Sequence, residues 1–220
     1  MLLQAEKLSK KYGSREVIRD ASLSFSAGEI VVLKGRSGSG KSTLLHLLSL
    51  LERPDFGQIL LNGKSVPSGH AGREKIRRNM FGFLFQDTFL FEDSNAYDNV
   101  FLPLALTGKP RYGWKKEAFV LLESVGITGA ALELPVRLLS GGERSRIAFI
   151  RAIIHKPHLC FCDEPTGNLD AVSAGEVVSL IPRFSNSGTA FVIVTHGDYF
   201  DSIATGTLLL ENGKLICRGE

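Results

Sequence analysis

The stretch Gly35-Arg36-Ser37-Gly38-Ser39-Gly40-Lys41-Ser42-Thr43 constrains this chain more than any other. It fits the pattern G-x-x-x-x-G-K-[ST]. Ahead of it stands Ile30-Val31-Val32-Leu33, a short β-branched run that predicts a buried strand. After it comes Leu44-Leu45-His46-Leu47-Leu48-Ser49-Leu50-Leu51, which predicts a buried helix. Strand, glycine-rich loop and helix in that order make a phosphate cradle. The glycines let the backbone turn successive N–H groups onto an anion, and the helix start adds unpaired N–H groups and its positive dipole end. Lys41 can reach the β- and γ-phosphates, and the Ser42 hydroxyl can ligate Mg²⁺. A dinucleotide fingerprint would need a third glycine at position 43, which is Thr43.

A chain of 220 residues can bury a real core, and it predicts one domain over 1–220 with one inserted subdomain. The net charge of +3 is too small to argue for a nucleic-acid partner. No apolar run approaches the roughly eighteen residues of a membrane span. The start, Met1-Leu2-Leu3-Gln4-Ala5-Glu6, has no basic region and no cleavage pattern, so no signal peptide is expected. The expectation is a cytosolic protein able to sit on a membrane partner. Three cysteines, an odd number, fit a reducing compartment. Cys160 and Cys162 alternate within Leu159-Cys160-Phe161-Cys162 and read as small apolar residues on one face of a buried strand.

Residues 2–8 predict an edge strand, Lys10-Lys11-Tyr12-Gly13 a turn, and 17–25 strand-like material. Two or three antiparallel strands thus precede the phosphate loop. Tyr12 can stack on an adenine ring or pack under its turn. Residues 73–78 predict a short basic helix, and Met80-Phe81-Gly82-Phe83-Leu84-Phe85 a strand ending at Gln86-Asp87. That polar pair is either a strand-terminating turn or part of a nucleotide site at the carboxyl edge of a sheet. Between about 87 and 155 there is no strand signal, and this third reads as a helical subdomain inserted in the core. Its Phe-rich entry, around Phe89-Leu90-Phe91, reads mostly as core.

Leu139-Ser140-Gly141-Gly142-Glu143 opens a helix running to about residue 154. Ser140 is an N-cap, and the glycines leave orphan N–H groups open to an anion. Glu143, three residues on, is equally explained by a capping box. The apolar strand over 157–162 ends in Asp163-Glu164. Beside a phosphate loop the first carboxylate can hold Mg²⁺, and the second can orient or deprotonate an attacking water. Asn168-Leu169-Asp170 forms a turn before a helix over 171–184, and a last buried strand ends in His196. There a histidine is placed to contact a γ-phosphate, with a structural role as the alternative.

Taken together these residues resemble an ATP-binding-cassette (ABC) transporter ATPase over almost the whole chain. Tyr12 matches the adenine-stacking A-loop, residues 35–43 Walker A, Gln86 the Q-loop and 139–143 the signature motif. Asp163-Glu164 match Walker B with the catalytic glutamate, Asp170 the D-loop and His196 the H-loop. The implied fold is α/β: a P-loop core with a mainly parallel sheet, an N-terminal antiparallel β subdomain and the helical insertion. Also implied are ATP and Mg²⁺ as cofactors, and transport-coupled ATP hydrolysis. Glu164, His196, Lys41 and Gln86 would be catalytic. Residues 35–43 and Tyr12, with Ser140, Gly141, Gly142 and Asp170, would bind nucleotide. Ser42, Gln86 and Asp163 would hold the metal. The resemblance further implies a homodimer on ATP binding and an integral membrane permease, at the cytoplasmic face of the bacterial inner membrane. Phe81-Gly82-Phe83-Leu84-Phe85-Gln86, Leu139-Ser140-Gly141-Gly142-Glu143-Arg144 and Asp163-Glu164-Pro165-Thr166-Gly167-Asn168-Leu169-Asp170 resemble the subfamily of lipoprotein-releasing, macrolide-export and cell-division ATPases and antimicrobial-peptide exporters. Lipoprotein release is the first expectation. Two departures stand out: Gly197 follows His196 where an Asp is usual, with Asp198 one residue late, and Ser145 stands in place of Gln.

Overall fold

The run Ile30–Lys34 (β3) has no polar side, because both faces of its sheet are covered. Ile30 and Val32 join one apolar cluster, while Val31 and Leu33 join another. Leu159–Asp163 (β7) divides the same way, with Cys160 and Cys162 on the first face and Leu159 and Phe161 on the second. In Ala190–Val194 (β8), Phe191 and Ile193 face the first cluster, and Ala190, Val192 and Val194 the second. The two cysteines thus lie on one face of a buried strand, their sulfurs 4.0 Å apart.

The computed structural model describes residues 1–108 and 113–217. Six strands form the main sheet. With Phe81–Phe85 (β6), Gly206–Glu211 (β9) and Lys214–Cys217 (β10) added, its order is β10-β9-β3-β8-β7-β6. All neighbours are parallel except β9 and β10, which form a hairpin. A second sheet of four strands is antiparallel: Arg15–Phe25 (β2), Leu3–Tyr12 (β1), Phe56–Leu61 (β4) and Lys64–Ser65 (β5), in that order. So two antiparallel strands precede the phosphate loop, and the third, β3, enters the parallel sheet. Lys10, Lys11 and Tyr12 belong to β1 rather than to a turn, since they pair with Ile18, Glu16 and Arg15 across the hairpin.

Lys41–Leu48 (α1) packs its leucines into the second cluster, between the two sheets. His70–Met80 (α2) is the basic helix ahead of β6. Between β6 and β7 the described residues hold only helices: Ala96–Leu106 (α3), Trp114–Ser124 (α4), two short 3₁₀ turns and Gly141–Ile153 (α5). Residues 109–112, inside this segment, lie outside the described residues. The helices share one apolar cluster with the sheet, from Val100 and Leu122 through Phe149 to Phe191. A Cβ on Gly82 would meet Ala152 O at 2.3 Å, so β6 and α5 approach as closely as backbones can. Ala171–Ser185 (α6) then leads to β8.

The expectation of core burial for the Phe-rich entry fails at two rings. Leu90 is buried, but Phe89 and Phe91 are 67% and 55% exposed. The segment is not helical there, so neighbours of a buried residue point outward.

Candidate functional site

Strand register assembles the site. Phe85 lies opposite Asp163, Asp163 opposite Val194, and Val194 opposite Leu33. Because these four strands are parallel, one row across the sheet is followed at one edge by Gln86, Glu164, His196 and Gly35. Residues as far apart as 35 and 196 meet because their strands end together. Ligands of open α/β sheets bind at this carboxyl edge.

The phosphate loop leaves β3 and closes on α1. Gly40, at φ +104°, is the N-cap residue and offers no side chain to the first turn, so the orphan N–H groups of α1 face the loop. A Cβ there would stand 3.0 Å from Val17 O. Lys41 is buried, and its Nζ donates to Gly35 O (2.8 Å) and Arg36 O (3.2 Å), which holds the ammonium over the loop. A cleft of about 390 Å³ is lined by Tyr12, Arg15, Val17, Ser37, Gly38, Gly40, Lys41, Ser42, Thr43 and Glu164. Arg36 and Ser39 instead line a neighbouring cleft of about 630 Å³, with Arg19 and residues 210–213, and the two clefts share Arg15, Val17, Ser37 and Gly38.

Ser42 Oγ donates to Asp163 Oδ1 at 3.4 Å. Burial raises the Asp163 carboxyl above the ordinary aspartate range, while the Ser42 hydroxyl, His46 and Lys41 pull the other way. A half-buried carboxylate beside a hydroxyl is an all-oxygen donor set, the kind that suits a small hard divalent cation. Among the described residues no group of three or more His, Cys, Asp or Glu could hold a metal alone. Such a cation would therefore need phosphate oxygens and water to fill its shell.

Glu164 is fixed on three sides. Its N–H donates to Val194 O at 2.9 Å, prolonging the sheet by one bond. Its Oε2 accepts from Thr195 Oγ1 at 3.2 Å, and its Oε1 accepts from His196 Nδ1 at 2.8 Å. The backbone turns sharply here, with φ +47°. Gln86 Nε2 donates to Asn168 Oδ1 at 2.9 Å, and a Cβ on Gly167 would stand 3.0 Å from that same nitrogen. Gln86 therefore touches the turn that follows Glu164.

Asp198 Oδ1 and Asp201 Oδ2 accept from Lys34 Nζ at 2.7 and 2.6 Å. Lys34 directly precedes the phosphate loop, so this pair ties the segment after His196 to the strand that carries the loop. The Lys34 ammonium holds the Asp198 carboxyl below its ordinary range.

Ser140, Gly141 and Gly142 do not line the cleft of Lys41. Ser140 caps α5 in a full capping box: its Oγ accepts from Glu143 N, and Glu143 Oε2 accepts from Ser140 N at 2.8 Å. Hydrogen bonds from the Ser140 side chain and backbone lower the Glu143 carboxyl. Asp170 caps α6, accepting from Val172 N and Ser173 N at 3.0 Å and from Ser173 Oγ at 2.9 Å. A Cβ on Gly142 would meet Ser173 Oγ at 2.6 Å, so Ser173 joins the two helix starts. Thus Tyr12, Lys41, Ser42 and Glu164 share a cleft, Asp163 and His196 touch it, and Ser140 and Asp170 stand apart. Sequence reasoning did not single out Asn168, Ser173, Thr195 or Lys34. Lys34 and Thr195 directly flank Gly35 and His196, and Asn168 lies two residues before Asp170, which is the one signal that could have found them.

The sequence matches the ABC transporter family over residues 18–167. It is 40% identical over 221 residues to the lipoprotein-releasing system ATP-binding protein LolD of Shewanella oneidensis, covering 98% of this chain and 96% of the relative. It is 37% identical to the LolD of Aquifex aeolicus, with the same coverage. It is also similar to the ATP-binding cassette MJ0796, solved as a dimer in a post-hydrolysis state with ADP and Pi: TM-score 0.87, 27% identity, 100% of both chains. The cassette cbiO1 of Clostridium perfringens, part of the transporter complex cbiONQ, gives a TM-score of 0.88 at 25% identity over 98% of this chain and 86% of that one. With a phosphate loop, paired acids and a histidine on one row of strand ends, and with these likenesses over nearly its full length, the chain belongs to the ABC transporter family as an ATP-binding, ATP-hydrolysing subunit.

Proposed function

We propose that this chain is the ATPase of a lipoprotein-releasing ABC transporter, working through an integral membrane permease at the cytoplasmic face of the inner membrane. The observation that carries its chemical part is the Glu164–His196 contact of 2.8 Å at the rim of the Lys41 cleft. The naming of relatives such as the Shewanella and Aquifex proteins supports the substrate. No helix among the described residues is long and apolar enough to cross a membrane.

Lys41 and the N–H groups at the start of α1 would bind the triphosphate, and the Tyr12 ring would cover the base. Ser42 and Asp163 would hold Mg²⁺, which when bound neutralises developing phosphate charge. Glu164 would take a proton from the attacking water, with its carboxylate held in place by Thr195 and His196. His196 is exposed enough to turn toward the γ-phosphate. Gln86, through Asn168, would report the state of that turn to the helical region. Ser140-Gly141-Gly142 stands outside the cleft in its own chain, which supports a head-to-tail homodimer whose partner copy supplies that helix start. Two triphosphates would then hold the dimer closed, and hydrolysis would open it.

The test is reconstitution. The chain should co-purify with a membrane permease, and vesicles holding both should release a lipid-anchored protein on adding ATP. Export of a drug or a peptide with no lipoprotein release would move the chain to another branch of the subfamily. Failure to bind any permease would remove the transport reading.

A further inference from the structure

Tyr12 ends β1 and is 48% exposed, yet its phenol is not loose. The hydroxyl donates to Glu52 Oε2 at 2.5 Å. The other carboxylate oxygen, Glu52 Oε1, pairs with Lys10 Nζ at 3.2 Å, and that ammonium lies over the Tyr12 ring, 5.6 Å from its centroid. Burial and the Glu52 contact raise the Tyr12 phenol above its ordinary range, so it stays a neutral donor, with the Thr43 hydroxyl acting in the opposite sense.

Glu52 itself is anchored to the phosphate-loop helix. Its N–H donates to His46 O in α1 at 3.0 Å. Its carbonyl accepts from the guanidinium of Arg73, a buried side chain of α2. The residues after it grip the same strand end: Lys10 Nζ donates to Arg53 O at 2.8 Å, and Lys11 N donates to Asp55 Oδ2 at 2.7 Å. Residues 10–12 of the antiparallel sheet are therefore clamped by the segment that leaves α1. An exposed aromatic side chain at a strand end otherwise has to be ordered when a ligand stacks on it, and that ordering weakens binding.

We infer that Glu52 is a positioning residue for the nucleobase: with Lys10 it fixes the Tyr12 ring in the frame of the phosphate-loop helix before nucleotide arrives. This makes the base count in recognition, over and above the triphosphate. It rests on Tyr12 as the base-covering residue, and the test separates the two ideas.

The full chain is assayed for ATP hydrolysis, with inorganic tripolyphosphate as a competitor that has phosphates and no base. Glu52→Ala should raise KM for ATP about tenfold, the effect of losing a charge-assisted hydrogen bond, with kcat and the tripolyphosphate inhibition constant held. Tyr12→Phe keeps the ring and loses the hydroxyl, so it should reproduce Glu52→Ala, and the double variant should add little. Glu52→Gln, which still accepts from the hydroxyl but cannot pair with Lys10, should fall between. If Glu52→Ala weakens ATP and tripolyphosphate equally, Glu52 supports the phosphate loop as a whole and the inference fails. If Tyr12→Ala loses the preference for ATP while Glu52→Ala and Tyr12→Phe keep it, the ring acts without positioning and only this inference fails. If Tyr12→Ala keeps the preference, base stacking itself is overturned and this inference with it.

Discussion

Glu164 occupies a left-handed backbone conformation that costs a residue other than glycine roughly 1–3 kcal/mol. Bonds on both sides offset it: its N–H to Val194 O, and Gly167 N to its own carbonyl, 2.9 and 3.0 Å. The side chain is thereby aimed at His196 and Thr195 rather than along the strand. Glu164→Gln keeps this shape and removes the proposed base, so hydrolysis should fall about 100- to 10,000-fold while ATP binding survives. Phosphate release and equilibrium nucleotide binding measure the two separately, and unimpaired turnover would remove Glu164 from its role. Lys34 holds the segment that follows His196 through Asp198 and Asp201. Its partner Asp198 is 87% exposed at the side chain, so the pair is a weak, salt-sensitive support. Lys34→Met should lower kcat about two- to fivefold at low salt and leave KM for ATP alone. An effect that persists unchanged in 1 M salt would point to packing instead.

Among the elements, α5 shows how one helix start serves structure and a candidate site together. Its capping box satisfies Ser140 and Glu143 within the chain, while Gly141 beside them is exposed and Gly142 is buried against Ser173. The lowered Glu143 carboxyl binds its proton less readily in the folded state than in the unfolded chain. Its contribution is therefore complete above the ordinary glutamate value of about 4.3 and disappears as pH falls through the lower folded value. Glu143→Gln should cost about half a kcal/mol at neutral pH, and the gap to the parent should close in acid. Denaturant titrations at both ends of that range check it; a gap independent of pH would mean the charge contributes nothing. The elements themselves are legible in the sequence wherever burial is two-sided, as in β3, β7 and β8, because unbroken apolar runs have no other home. Motif residues are legible because loop chemistry fixes their spacing. Partners are not. Glu52 reaches Tyr12 across 40 residues, Gln86 reaches Asn168 across 82, and Lys34 reaches Asp198 across 164, so no local pattern announces them. The exposure of Phe89 and Phe91 escapes for a different reason: hydrophobicity predicts burial, and it does not say when a neighbour such as Leu90 has taken the inner position.

For the whole molecule, the central fact is that a single copy gathers Lys41, Ser42, Glu164 and Tyr12 but leaves Ser140 outside their cleft. If a second copy closes the site, Ser140→Arg should abolish hydrolysis while the isolated chain still binds ATP. Mixed with Lys41→Ala, which spoils the other half, it should regain hydrolysis in heterodimers that hold one intact composite site. No recovery at any mixing ratio would count against closure by a second copy. The row formed by Phe85, Asp163, Val194 and Leu33 carries a further consequence, for insertions and deletions. Removing Leu159, the first residue of β7, would draw Glu164 back by about 3.3 Å and turn every remaining side chain of the strand to the opposite layer. Cys160 and Cys162 would trade places with Phe161 across the sheet, and the acids would point away from Ser42 and His196. Most single substitutions in β7 conserve that alignment, whereas a change in its length destroys it. These strands can thus exchange one apolar side chain for another of similar size, but a change of even one residue in their count would disable the site.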